Sequence, residues 1–171
     1  MKKVNFTKGI QTNKVKSVRM EKFLAKMVNN QCCYCELIQG DQFLKPYVDV
    51  DIKRHSELYQ QLIDYGIHKQ RFKEGVIQLT MKELNRVFPG KEIVYNDSSR
   101  QHQGEYKYSF HFIIQGVKAK GKDMHLLFTT INHCLSFNLF DLSVYRKETD
   151  KTAKFRFANQ KKDIIDPIPT L

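Results

Sequence analysis

Two carboxylates, Asp49 and Asp51, stand two residues apart in the apolar, β-branched stretch KPYVDVDIKR, Lys45 to Arg54. Residues two apart in a strand share a face, so Val48, Val50 and Ile52 turn one way and both acids the other. Two anions held side by side call for a positive neighbour. The same alternation recurs in YKYSFHFII, where Lys107, Ser109 and His111 share one face and Tyr108, Phe110, Phe112 and Ile114 the other. A third acid, Asp141, interrupts the apolar run FNLFDLSVY, which reads as a further strand. Each feature alone has a plain explanation: an Asp caps a loop, and a single His or Ser on a strand is commonly a hydrogen-bonded structural residue. Together, three carboxylates form the hard oxygen set that Mg²⁺ or Mn²⁺ accepts, with places left for phosphate and water. Two such ions about 4 Å apart clamp the attacking and leaving oxygens of a phosphoryl transfer and neutralise the paired aspartates. Lys107, His111, Arg156 and Lys162 are the cations placed to hold the remaining phosphate charge. Phe155 and Phe157 flank Arg156 and turn it, together with Lys154, to the opposite face of their strand.

The elements that must position these residues follow from periodicity. The sequence predicts a helix near SVRMEKFLAKMV, a strand at CCYCELI, a turn at GDQ and a strand at KPYVDVDI. Ser56 reads as the N-cap of an amphipathic helix, ELYQQLIDYGI, burying Leu58, Leu62 and Ile63. Thr80 and Glu83 read as a capping box opening a second helix, which FPG at Phe88 to Gly90 ends. EIVYN is a strand, DSSRQHQGE a polar turn segment and YKYSFHFII a long strand. KDMHLLFTTINHCL carries Met124, Leu127, Phe128, Ile131, Cys134 and Leu135 along one side, the pattern of a packed helix. AKFRFA is a last strand, and the tail DIIDPIPTL reads as a linker. Helices alternating with strands, some joined only by turns, predict an α+β domain with a mixed or antiparallel sheet.

At 171 residues, 41% hydrophobic and 12% aromatic, the chain is long and apolar enough to bury a core. The formal charge of +11 and a pI of about 9.5 favour polyanionic partners, nucleic acid or nucleotide phosphates. No apolar run reaches the length of a bilayer span, and the basic N-terminus lacks the apolar core of a signal peptide, so an intracellular chain without a membrane partner is expected. Of the four cysteines, Cys32 and Cys35 make one C-x-x-C, while His133 and Cys134 are adjacent and lie on the apolar helix side. That spacing suits reduced, packed thiols better than a zinc site.

VDVDI, NDSSRQHQGEYKYSFHFII and LFDLSVYRKETDKTAKFRFANQKK, in that order, resemble the signature blocks of the archaeo-eukaryotic primases, and within them the primase-polymerase group. That family carries an acidic-x-acidic strand, a Ser-x-His strand preceded by a Ser-Ser turn and a lysine, and a hydrophobic-Asp block running into Val-Tyr, Phe-Arg and a downstream lysine. The resemblance covers roughly residues 47–162 and is most specific in the third block. It implies an RRM-like catalytic sheet with packed helices over residues 47–162, a small N-terminal αβ unit over 1–46 and a linker or tail over 163–171. It further implies an enzyme that joins nucleotides on a DNA template, with two Mg²⁺ or Mn²⁺ ions held by Asp49, Asp51 and Asp141. Ser109 and His111 would contact the triphosphate of an incoming NTP or dNTP, with Lys107, Arg156 and Lys162 (or Lys161) adding charge. The family's N-terminal arginine finds no clear counterpart, and no Cys/His zinc module follows the core. By analogy alone, a helicase domain or subunit is a possible partner. Two other readings compete. An RRM-like single-strand binder would carry aromatics rather than acids on its open face. A metal-dependent nuclease needs neither the Ser-x-His strand nor the Phe-Arg and lysine block.

Overall fold

The computed structural model describes residues 3–8, 15–19, 34–39, 43–145 and 152–156. In chain order the strands are β1 Lys3–Lys8, β2 Val15–Arg19, β3 Tyr34–Gln39, β4 Phe43–Leu44, β5 Tyr47–Lys53, β6 Ile93–Asp97, β7 Arg100–His102, β8 Glu105–Ile114, β9 Ala119–Lys120 and β10 Thr152–Arg156. Three helices lie among the described residues: α1 Glu57–Asp64, α2 Phe72–Val87 and α3 Gly121–Leu135. The fold is α+β, and every strand pairing among the described residues is antiparallel.

β8 is the axis of the sheet that carries the sequence's polar residues. β5 runs along one edge of it, and β6 followed by β7 along the other. A second sheet has the order β10-β3-β1-β2, so residues 152–156 complete the sheet built by β1, β2 and β3. Where sequence reading saw only a polar turn segment, β7 and β8 form a hairpin with His102 opposite Glu105. Its two-residue loop is Gln103 and Gly104, both at positive φ (51° and 80°), the backbone that matches the right-handed twist of the strands.

Alternation along β5 and β8 sends Val48, Val50, Ile52, Phe110, Phe112 and Ile114 into the core, each at most 1% exposed. A buried Val, Leu, Ile or Phe side chain contributes about 1.5–3 kcal/mol, so this one face is enough to pin the register. Slipping either strand by a single residue would exchange it for the polar set. α1 and α2 cover that face through Tyr59 and Phe72, whose rings lie 4.3 Å apart, with Phe72 against Tyr108 at 4.8 Å. Ser56 caps α1 as its sequence position predicts, accepting a hydrogen bond from the Tyr59 N–H at 3.2 Å. Leu62 is fully buried, and Leu58 and Ile63 pack on the core margin.

Four local expectations are corrected. α2 does not begin at Thr80: it starts at Phe72 after a 3-10 turn, and Thr80 lies buried in its middle. The buried apolar residues Phe72, Val76 and Leu79 drive the extra turns. Gly75 permits them, because a Cβ there would stand 2.7 Å from Ile67 Cγ2. Phe137 to Tyr145 is not a strand but a single bridge at Asp141 followed by a 3-10 turn, Leu142–Val144. Ser17 to Arg19 belong to β2 rather than to a helix, and the rest of that predicted helix lies outside the described residues. His133 and Cys134 are both exposed rather than on the packed side of α3, whose buried residues at that end are Ile131 and Asn132. Cys32 and Cys33 also lie outside the described residues. No helix among those residues is long and apolar enough to cross a membrane.

Candidate active site

The antiparallel register turns two sequence patterns into rows across one face. His111 on β8 stands opposite Asp49 on β5 and opposite Asn96 on β6. Asp49 in turn stands opposite Asp141 in the isolated bridge, where the Asp141 N–H donates to the Asp49 carbonyl at 2.8 Å. Directly opposed residues of an antiparallel pair share a face, with Cβ atoms about 4.5–5.5 Å apart. The row therefore reads Asn96, His111, Asp49, Asp141. The next row places Ser109 opposite Asp51, and the one after it places Lys107 between Lys53 and Arg100. An acidic end and a basic end thus lie on the same surface, separated by a serine.

Side-chain contacts follow the rows. The Lys107 ammonium donates to Asp51 Oδ2 at 2.8 Å and the Ser109 hydroxyl to Asp51 Oδ1 at 2.6 Å, a charge-assisted length. His111 Nδ1 lies 2.6 Å from Asp49 Oδ1. An ionised carboxylate only accepts, so Nδ1 carries the proton in this contact. Burial pushes the Asp51 carboxyl up, but the hydrogen bonds from Lys107 and Ser109 and the charges of Lys107 and His111 outweigh it. The net effect is a value below the ordinary carboxylate range. The basic groups thus answer the demand that the paired aspartates make for a positive neighbour.

Ser109 is fixed from the far side by the Ser98–Ser99 turn between β6 and β7. Its N–H donates to Ser99 Oγ at 3.1 Å, and its carbonyl accepts from the Ser98 N–H at 2.8 Å. The turn itself is held by Asp97, whose carboxylate accepts the Ser99 N–H at 2.9 Å and pairs with Lys73 of α2.

Asp141 reaches the face by a different device. Its carboxylate accepts the Ser143 N–H at 2.8 Å and starts the 3-10 turn, which is why the segment leaves the sheet after one bridge. Two side chains take over the work of the missing ladder. Asn132 of α3 donates through Nδ2 to the Phe140 carbonyl and accepts the Phe140 N–H, both at 2.9 Å. The Tyr145 hydroxyl donates to the Tyr47 carbonyl at 2.5 Å and accepts the Tyr47 N–H at 3.0 Å, with the two rings stacked 5.1 Å apart. Burial pushes the Tyr145 hydroxyl far above its usual range, so it keeps its proton for this bond. Asn132 and Tyr47 were not singled out from sequence, and Tyr145 entered only as the tyrosine of the Val-Tyr in the third block, with no role assigned. A signal existed for Asn132, which lies four residues after Phe128 and so shares its buried helix face.

Asp51 and Asp141 line one cleft of about 420 Å³ together with Asn132, Asn138, Phe140 and Ser143. A hollow of about 650 Å³ adjoins it, shares Asn132, Asn138 and Leu142, and extends to Glu57 and Gln61 on α1.

No family model matches the chain, and no curated protein does either.

The structure thus brings together Asp49, Asp51, Lys107, Ser109, His111 and Asp141. Arg156 ends β10, opposite Cys35 in the other sheet, with β10 running beside the 3-10 turn that follows Asp141. Lys161 and Lys162 lie outside the described residues. Among the described residues, no three His, Cys, Asp or Glu side chains are gathered to enclose a metal ion. Asp49 is turned to His111, Asp51 to Lys107 and Ser109, and Asp141 to its own turn. The carboxylates of Asp49, Asp51 and Asp141 are the groups on this face able to hold a hard cation.

Proposed function

We propose that the chain is a template-directed nucleotidyltransferase of the primase-polymerase kind, joining NTPs or dNTPs by metal-dependent phosphoryl transfer. One observation carries this reading: three carboxylates from two distant chain segments share a sheet face with a lysine, a serine and a histidine, graded from acid to base across adjoining rows. A pure single-strand binder gains nothing from two directly opposed acids, since like charges across a bridge repel each other and repel phosphate.

The donor set suits a divalent ion in type and number, because Asp49 and Asp141 are opposed and Asp51 lies on the same side of β5. Mg²⁺ or Mn²⁺ held by these three residues would neutralise the charge that develops on the transferring phosphoryl group and lower the proton affinity of the attacking hydroxyl. The other roles fall to the chain itself. Lys107 and Ser109, released from Asp51, orient and screen the triphosphate, and His111 Nδ1 supplies a further donor. Asn132 and Tyr145 hold the Asp141 segment against β5, so the third carboxylate keeps its place as substrate enters.

The test is elongation of a labelled primer on a template with Mn²⁺ or Mg²⁺ and nucleotides, for the parent, Asp49→Ala and Asp141→Ala. Several kcal/mol of stabilisation at about 1.36 kcal/mol per tenfold put the expected loss at about 10²–10³-fold or more in each variant. Shortening of the labelled strand by the parent would instead identify a nuclease. A mobility shift without either reaction would identify a binding module.

A further inference from the structure

Beyond the end of β5, on the side of the sheet away from the acidic row, the chain makes a tight turn. The Ser56 N–H donates to the Lys53 carbonyl at 3.0 Å, and His55 takes a left-handed backbone with φ of 74°. This turn, the start of α1, the 3-10 turn before α2 and Tyr108 of β8 enclose a hollow of about 540 Å³. Its lining includes Arg54, His55 and Lys69, all exposed, and contains no carboxylate. No acid among the described residues forms a salt bridge with any of the three. Tyr59 and Tyr108 form the wall, their rings nearly parallel (14°) at 6.4 Å, and Tyr108 is part-exposed. The volume falls in the roughly 300–1,000 Å³ range of sites that take nucleotide-sized ligands.

We propose that this hollow binds the sugar-phosphate backbone and one base of a single-stranded nucleic acid, as a second contact for the template strand outside the reacting centre. Arg and Lys side chains without a salt-bridge partner beside a part-exposed tyrosine are the combination that sequence-tolerant single-strand sites use, charge for the backbone and an aromatic surface for the base. Position supports the assignment. Asp49, Asp51 and Lys53 alternate along the open face of β5, and Arg54 and His55 follow directly, so the hollow opens at the end of the strand that carries two of the acids. An acidic protein segment would use the same cations without needing the tyrosine wall. The proposal rests on the nucleotidyltransferase reading for its purpose, but the binding itself does not need that reading.

The test is fluorescence anisotropy of a labelled single-stranded oligonucleotide of mixed sequence, without metal or nucleotide, over a series of salt concentrations. The variants are Arg54→Gln with Lys69→Gln, against the charge-matched control Lys118→Gln with Lys122→Gln beyond the opposite end of β8. All four residues are exposed, so the substitutions leave the fold intact. The hollow variant is expected to bind about tenfold or more weakly. Its dependence of log K on log salt should be shallower by about 1.4, two contacts at about 0.7 each for a single strand. The control should stay within about twofold of the parent. Equal weakening in hollow variant and control, or no binding by the parent, overturns the proposal. Selective weakening in a protein that fails to extend primers would retain the hollow and remove the polymerase reading, so the two fail separately.

Discussion

Asn132→Ala is the sharpest probe of how Asp141 is held. Asn132 is 4% exposed and Phe140 is 1% exposed, and the amide satisfies both backbone groups of Phe140 at 2.9 Å. Truncation leaves a buried N–H and a buried C=O without that partner, at about 1–3 kcal/mol for each orphaned group, or about 2–6 kcal/mol in all. For a chain of this size 1 kcal/mol corresponds to roughly 2–4 °C in Tm, so a fall of at least about 4 °C is expected. Two assays read the result: thermal unfolding followed by circular dichroism, and primer extension well below the variant's own Tm. Extension should drop even where the protein is folded, because the bridge that aligns Asp141 with Asp49 lies one residue from Phe140. A Tm within about 2 °C of the parent, with extension unchanged, would refute the claim that this amide positions the third acid.

Two further outcomes are expected. Lys107→Met removes the main partner of Asp51, so the Asp51 carboxyl should titrate at higher pH in an NMR titration of the variant. Its folded value lies below its unfolded one, so the pairing stabilises the parent above the unfolded value of about 3.9 and is lost as pH falls through the folded value. The stability gap between parent and variant should therefore be full near neutrality and close on acidification; a gap constant down to pH 2 would contradict it. Gly75→Ala ordinarily gains about 1 kcal/mol in a helix, but here the new methyl meets Ile67 Cγ2 at 2.7 Å. Overpacking of about 1–3 kcal/mol should cancel or reverse the gain, and a denaturation midpoint raised by the full helix increment would show that Ile67 yields freely.

Strict alternation made β5 and β8 legible, because a period of two across an apolar run fixes which residues share a face. The opposition of Asp49 to His111 and of Asp51 to Ser109 needed more than either strand's pattern, since register is set by the pairing. Asp141 was recognisable as a polar interruption, yet its segment was read as a strand. A carboxylate that bonds the N–H two residues on competes with the ladder, and apolar neighbours mask that competition. The start of α2 was missed because Thr80 and Glu83 imitate a cap, while the packing of Phe72 and Val76 outweighs the cost of Gly75. Asn132 and Tyr145 were passed over for a common reason. Each acts on the main chain of a segment outside its own element, and a side chain's type does not declare such a partner.

The pairing of β10 with β3 has a consequence for how the molecule is made. Cys35 waits for Arg156, so the sheet of β1, β2 and β3 lacks its fourth strand on the ribosome until β10 has been synthesised. Such distant closure is slow, and meanwhile the bare edge of β3 is open to any passing strand. Until β10 arrives, correct closure of that edge competes with mispairing, a hazard that the already contiguous core strands do not share.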